Sequence, residues 1–215
     1  MENPKPKRIL LSLFVMTLIF AGNVSGQQYL TKINGWNAYV HLPPDYNTSS
    51  KKYPVIVFMP GIGEVGSNAS EVLINGPGHF INQGHNMEFM VNGIKQTPIV
   101  ISLQPPAAWP APLYLNRQID SIYKRFRIDT NRLALTGLSM GGSGWDNYVP
   151  ASPSYWKRPA SIVAMSAPPP ATPVVNFANF AATGGRWWGF EGTNDYRQMD
   201  VIRDIMNGAI PGSAK

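Results

Sequence analysis

Tyr53–Met59 (YPVIVFM) is a continuous apolar run rich in β-branched residues, closed by Pro60 and Gly61. It lacks the polar alternation of a strand with one wet face, so it fits a strand covered on both sides. Pro98–Leu103 reads as a second buried strand, and Arg132–Thr136, Ala160–Met165 and Arg186–Phe190 as three further strands. Gly35–Leu42 adds a strand that stops at Pro43 and Pro44. Between them Leu115, Ile119, Ile122, Tyr123 and Phe126 fall on one face of a helix. Met199–Met206 reads as a second helix, and Ser70–Gln83 as a short one interrupted near Gly76, Pro77 and Gly78. Strands separated by such crossovers predict an α/β fold, a mostly parallel sheet with helices on both faces.

With 44% hydrophobic and 14% charged residues, the 215-residue chain can bury a sizeable core. The absence of cysteine excludes a disulfide scaffold, a thiolate metal site and a cysteine nucleophile. Lys5, Lys7 and Arg8 precede the apolar run Ile9–Phe20, and small residues follow up to Gly26. This three-part pattern predicts a signal peptide over 1–26, cut before Gln27, and a secreted or periplasmic domain over 27–215. An uncleaved anchor is the alternative, but the run is short for a spanning helix. The net charge of +6 falls once that segment is set aside, and the remaining basic residues are scattered except Lys124, Arg125 and Arg127. Those three fit a solvated helix end. No nucleic-acid partner and no stable membrane insertion after cleavage are expected. Asn47 and Asn68 begin glycosylation sequons, which matter only in a eukaryotic secretory pathway.

Thr136–Gly142 (TGLSMGG) contains G-x-S-x-G after a strand and before a plausible helix, the context this motif requires. A serine on so sharp a turn needs glycine two residues to either side, where a side chain would collide. Its hydroxyl then stands at a helix N-terminus, which favours developing negative charge. Ser139 is the predicted nucleophile.

Here the chain resembles the α/β-hydrolase superfamily, and within it the polyhydroxybutyrate-depolymerase, feruloyl-esterase and phospholipase/carboxylesterase-like groups of secreted esterases. The resemblance rests on residues 53–64 (YPVIVFMPGIGE), 101–106 (ISLQPP), 128–142 (IDTNRLALTGLSMGG), 191–195 (EGTND) and 207–214 (NGAIPGSA). It implies backbone N–H donors for an oxyanion at Ile62 and Met140, since Pro60–Gly63 matches the H-G-x-G segment of such enzymes. It also implies a triad acid at Asp195, in Gly192–Asp195 (GTND). Glu191 stands where the family often has histidine, and Asp200 is the next carboxylate. No metal or organic cofactor is implied. Trp109, Trp145, Tyr155, Trp156, Trp187 and Trp188 are expected in or near loops around the site. Gln104, Trp109 and Trp188 are the candidate substrate contacts.

The departure is the base. The fold's order is Ser, Asp, then His, yet His41, His79 and His85 all precede Ser139. The sequence thus reads as truncated relative to the resembling esterases, without the last strand and its histidine loop. His41 lies in an N-terminal strand. His79 and His85 flank a glycine-rich segment after the oxyanion turn, which could bring them to the site mouth. The sequence assigns none of the three as the base, and His79 and His85 are poorly spaced for a metal pair. A missing strand would leave the Trp187–Trp188 edge unpaired and prone to aggregation. The expected function is carboxylic ester hydrolysis through an acyl-serine, impaired without the histidine. The alternatives are a non-catalytic binding protein, or a peptidase or acyltransferase, on the same fold. The expected partner is a small or polymeric ester; polyester, feruloyl, acetyl-xylan and short-chain esters all fit.

Overall fold

The computed structural model describes residues 28–195 and 199–215, so the expected signal segment lies outside it. Nine strands form: β1 (Tyr29–Ile33), β2 (Trp36–His41), β3 (Tyr53–Met59), β4 (Phe89–Val91), β5 (Ile94–Gln96), β6 (Ile99–Gln104), β7 (Ile128–Leu138), β8 (Ser161–Met165) and β9 (Arg186–Phe190). The helices are α1 (Gly76–Asn82), α2 (Pro112–Arg125), α3 (Met140–Tyr148), α4 (Pro153–Trp156), α5 (Phe177–Ala182) and α6 (Met199–Ala209). Among the described residues no helix is long and apolar enough to cross a membrane.

Seven strands make one sheet in the order β1-β2-β6-β3-β7-β8-β9; β4 and β5 pair separately. The five strands from β6 to β9 run parallel, and β1 and β2 join antiparallel. The β1–β2 and β4–β5 hairpins were not anticipated. Both turn on Asn-Gly, with Asn34 at φ 43°, Gly35 at 84°, Asn92 at 50° and Gly93 at 77°. That double positive φ matches the right-handed twist of the flanking strands. Gly76 and Pro77 begin α1 rather than break it, since proline is tolerated in a first turn.

Register explains the core. Val40, Ile101, Val57, Leu135, Ile162 and Trp187 lie side by side across six strands. All six are buried, in the cluster that also holds Leu115, Ile119 and Ile122 of α2, Trp145 of α3, Phe177 of α5 and Met206 of α6. The next row, Ser102, Phe58, Thr136, Val163 and Trp188, faces the other way. There Ile81 of α1, with Met87, covers Val100 and Ile56. The cover thins toward β9, where Trp188 is 48% and Phe190 46% exposed.

The β9 edge is not bare, contrary to expectation. Trp187 N–H donates to Ser213 O (3.0 Å), Lys215 N–H to Trp187 O (3.1 Å) and Gly189 N–H to Lys215 O (3.0 Å). Ser213–Lys215 thus extend the sheet in parallel. The basic cluster is also less solvated than expected. Arg125 donates to Lys32 O (2.8 Å) and Thr31 Oγ1 (2.9 Å), and Arg127 lies over the Tyr46 ring at 3.9 Å.

One buried carboxyl joins α3 to β9. Asp146 is 1% exposed and accepts from Trp187 Nε1 at 2.9 Å. Burial raises its pKa to about 7, and the Trp187 bond opposes only part of that rise. The native state therefore holds a proton that the unfolded chain has lost above about pH 4. Stability from this group is greatest near pH 4 and falls by ~4 kcal/mol as pH rises to 7. Asp146→Asn keeps the acceptor for Trp187 and is expected to flatten that slope. Urea unfolding midpoints at pH 4.5, 5.5, 6.5 and 7.5 check it; a slope unchanged by the substitution refutes the assignment.

Candidate active site

The site sits where β3, β7, β8 and β9 end. β7 runs through Leu138, and the chain turns at Ser139 into α3. Ser139 has φ 51° and ψ −119°, a strained combination for a residue with a side chain. The surroundings impose it. A Cβ on Gly137 would stand 2.5 Å from Gly142 N, and one on Gly141 2.7 Å from Pro60 O. A Cβ on Gly142 would meet Ala167 Cβ at 2.9 Å. Gly137 and Gly141 are thus demanded by close backbone approach, and Gly142 by the Ala167 methyl as well as Gly137 O. The turn is held by Ser139 N–H to Met165 O (2.8 Å) and Ser143 N–H to Ser139 O (3.0 Å).

The turn after β3 lies alongside. A Cβ on Gly61 would be 3.8 Å from Ser139 Cβ, ordinary van der Waals contact. Ile62–Glu64 then form a single helical turn closed by Glu64 N–H to Gly61 O (3.1 Å). Neither Ile62 N–H nor Met140 N–H is bonded to a described residue. Two free backbone donors therefore flank the serine, one from each turn.

The ladder continues past the strands: Ser139 N–H reaches Met165 O, and Ser166 N–H reaches Phe190 O (2.6 Å). Ser139, Ser166 and Glu191 thus line one sheet edge, with Glu191 about 10 Å from Ser139 at two strand spacings. Asp195 follows in the next turn, where its Oδ2 accepts from Gly192 N–H (2.6 Å) and its N–H donates to Gly192 O (3.0 Å). Asp200 is exposed and paired with Arg203. A cavity of about 650 Å³ opens beside the end of β9, lined by Ser166, Glu191, Gly192, Asp200, Arg203 and Lys215.

No histidine among the described residues touches Ser139 or Asp195. His41 is buried in β2. His79 places Nδ1 3.3 Å from Leu73 O and Nε2 2.9 Å from Gln83 Nε2. His85 Nδ1 accepts from Met87 N–H at 3.0 Å.

The structure brings Ile62, Ser139, Met140 and Trp109 together. Trp109 N–H approaches Met140 Sδ at 3.3 Å, and its half-exposed ring borders a 350 Å³ groove with Pro110, Gly144, Asn147 and Thr172. Gln104 is fully buried behind the Ile62 loop. Trp188 is level with Thr136, three residues short of Ser139, on the face away from α3. Its ring packs on Phe190 at 4.9 Å. Two aromatics expected at loops are core residues: Trp145, fully buried on α3, donates to Thr136 O (2.9 Å), and Trp187 is 2% exposed. Tyr155 stacks on Tyr148 at 4.7 Å, and Trp156 also packs on the core. Sequence reasoning missed Asp146, Asn37 and Asn75, whose partners are distant in the chain and leave no local pattern.

The steric argument is testable without activity. Gly141→Ala is expected to cost more than about 3 kcal/mol, because the methyl meets backbone rather than a yielding side chain. Gly63→Ala has nothing within 4 Å and is expected to change stability by less than about 1 kcal/mol. Chemical unfolding of both variants compares them; equal losses contradict the account.

No family model matches the sequence, and no curated protein matches it. Solved structures do match. A thermostable esterase is 18% identical with a TM-score of 0.61, over 89% of this chain and 53% of that one. The chain thus spans about half the length of that esterase. A ferulic acid esterase is 19% identical with a TM-score of 0.59, over 85% and 84% of the two chains. An S-formylglutathione hydrolase from Staphylococcus aureus is 15% identical with a TM-score of 0.58, over 88% and 87%. Likeness at such identities is one of architecture, and with the strand order and the Ser139 turn it establishes that the chain has the α/β-hydrolase fold.

Proposed function

We propose that the chain is a carboxylic ester hydrolase acting through an acyl-serine intermediate on Ser139. The observation that carries this reading is the strained Ser139 turn, with the Gly61 turn alongside it and two unbonded N–H groups beside it. Such strain persists where the surroundings enforce it, and it is the geometry of a nucleophile presented to substrate. Ser139 Oγ attacks the ester carbonyl, whose oxygen gains negative charge and accepts from Ile62 and Met140 N–H. Each such donor contributes roughly 2.7–4 kcal/mol to the transition state on the usual mutational scale. The proton of Ser139 Oγ passes to the leaving group, which departs as the alcohol. Water then cleaves the acyl-serine, returning a proton to Ser139 Oγ and releasing the acid. Asp195 is the residue we assign to orient a base at the mouth of the cavity beside β9. Trp109, whose N–H approaches Met140 Sδ, forms one wall of the groove we assign to the substrate.

The neighbours that include a ferulic acid esterase and an acetyl xylan esterase from Aspergillus awamori support ester chemistry at the level of the fold. A signal peptide over 1–26 and export belong to the same proposal. A second reading has its own observation. Ser139 Oγ has no hydrogen bond to a described residue, and a serine without a base is a weak nucleophile. On that reading the protein binds an acyl compound without turning it over.

Exposure of the purified protein to a fluorophosphonate probe, read by intact mass, separates the two. A single adduct that disappears in Ser139→Ala is expected for the hydrolase. A folded wild-type protein that takes up no adduct refutes it and supports the binding protein.

A further inference from the structure

We propose that Gln104 is a positioning residue for this reaction, acting through the loop that carries the Ile62 N–H. The proposal rests on the ester-hydrolase reading above. Gln104 is the last residue of β6 and is fully buried. Its Nε2 donates twice, to Glu64 O (3.0 Å) and Asn68 O (2.7 Å). Its Oε1 accepts from Asn37 Nδ2 at 2.9 Å, and Asn37 Nδ2 also reaches Ser67 O at 3.2 Å. Two amide side chains on neighbouring strands therefore hold three carbonyls of one loop. Gly66 N–H to Pro105 O (2.9 Å) adds a fourth tie to the end of β6. On its other side Glu64, 6% exposed, is held by Asn75 Nδ2.

These ties reach the Ile62 N–H through two bonds. Gln104 fixes Glu64 O, and Glu64 N–H fixes Gly61 O at 3.1 Å. Gly61 C=O and Ile62 N–H belong to one planar trans peptide, so they point in opposite directions. Holding the carbonyl toward Glu64 turns the N–H away from Glu64. The Gly61 turn lies alongside Ser139, where a Cβ on Gly61 would be 3.8 Å from Ser139 Cβ, and we infer that the N–H faces the serine side. Without Gln104 that peptide loses its support through Glu64, and two loop carbonyls, Glu64 O and Asn68 O, lose their donor.

The test uses Gln104→Leu, of similar size with no hydrogen-bonding groups, and Asn37→Ala, a milder change on β2. Steady-state hydrolysis of p-nitrophenyl acetate and backbone hydrogen exchange are measured on both. In Gln104→Leu, kcat is expected to fall roughly 10- to 100-fold with KM within about twofold, because the donor acts in the transition state. Asn37→Ala shifts kcat the same way by a smaller factor. Exchange over residues 61–68 accelerates in both, while residues 135–148 keep wild-type protection. Wild-type kcat in a folded Gln104→Leu, or unchanged exchange over 61–68, overturns the proposal. So does equal acceleration over 135–148, which marks a general loss of structure. A wild type no faster than Ser139→Ala fails the hydrolase reading itself and takes the positioning role with it. Exchange over 61–68 then still reports whether Gln104 holds the loop.

Discussion

The contact between the backbone of α3 at Gly141 and the end of β3 at Met59 and Pro60 is the constraint on which the site depends. It lets the first turn of α3 sit against the mouth of the sheet with no side chain between. That closeness forces Ser139 into positive φ, and it brings the turn after β3 within van der Waals reach of the serine. Strain at one residue is thereby supported by several layers of ordered strand. The buried row from Val40 to Trp187 keeps β3, β7 and β8 in register, so the two turns meet at the same height.

The central strands β3 and β6 were legible because burial on both faces writes itself as uninterrupted apolar residues, and β9 was legible from its aromatic run although only Trp187 in it is buried. Tyr53–Met59 and Arg186–Phe190 read from the sequence with the bounds the structure has. The β1 and β4–β5 strands were not, since they are short, exposed and partly polar. Only their Asn-Gly turns carried a signal. Ser139 was legible because the demand for glycine on either side of it writes G-x-S-x-G into adjacent positions, and the Gly61 turn because proline and glycine close β3. Gln104 was not, and its polar side chain suggested a substrate contact. Its actual partners are 36 and 40 residues earlier, and no pattern within β6 marks them. Trp145 was misread for a related reason: α3 is so rich in glycine that it shows no apolar periodicity to assign its inner face.

Two pairs of polar side chains tie elements together beside the site. Asp146 and Trp187 join the helix after the serine to the strand before Asp195. Gln104 and Asn37 join two strand ends to the loop on the other flank. Each lies beside a segment of the site, and each is buried enough that its loss leaves a partner unsatisfied.

The glycines at 137, 141 and 142 act by what they lack. A requirement met by missing atoms fixes very few letters of a sequence, because the strands feeding the turn need only be apolar and the helix leaving it need only be thin on one side. Chains can then drift apart almost everywhere while keeping the same serine at the same height above the same sheet. Identities of 14–19% with architecture retained are what such a rule permits. For this kind of site, comparison of shapes preserves a record that comparison of letters has already lost.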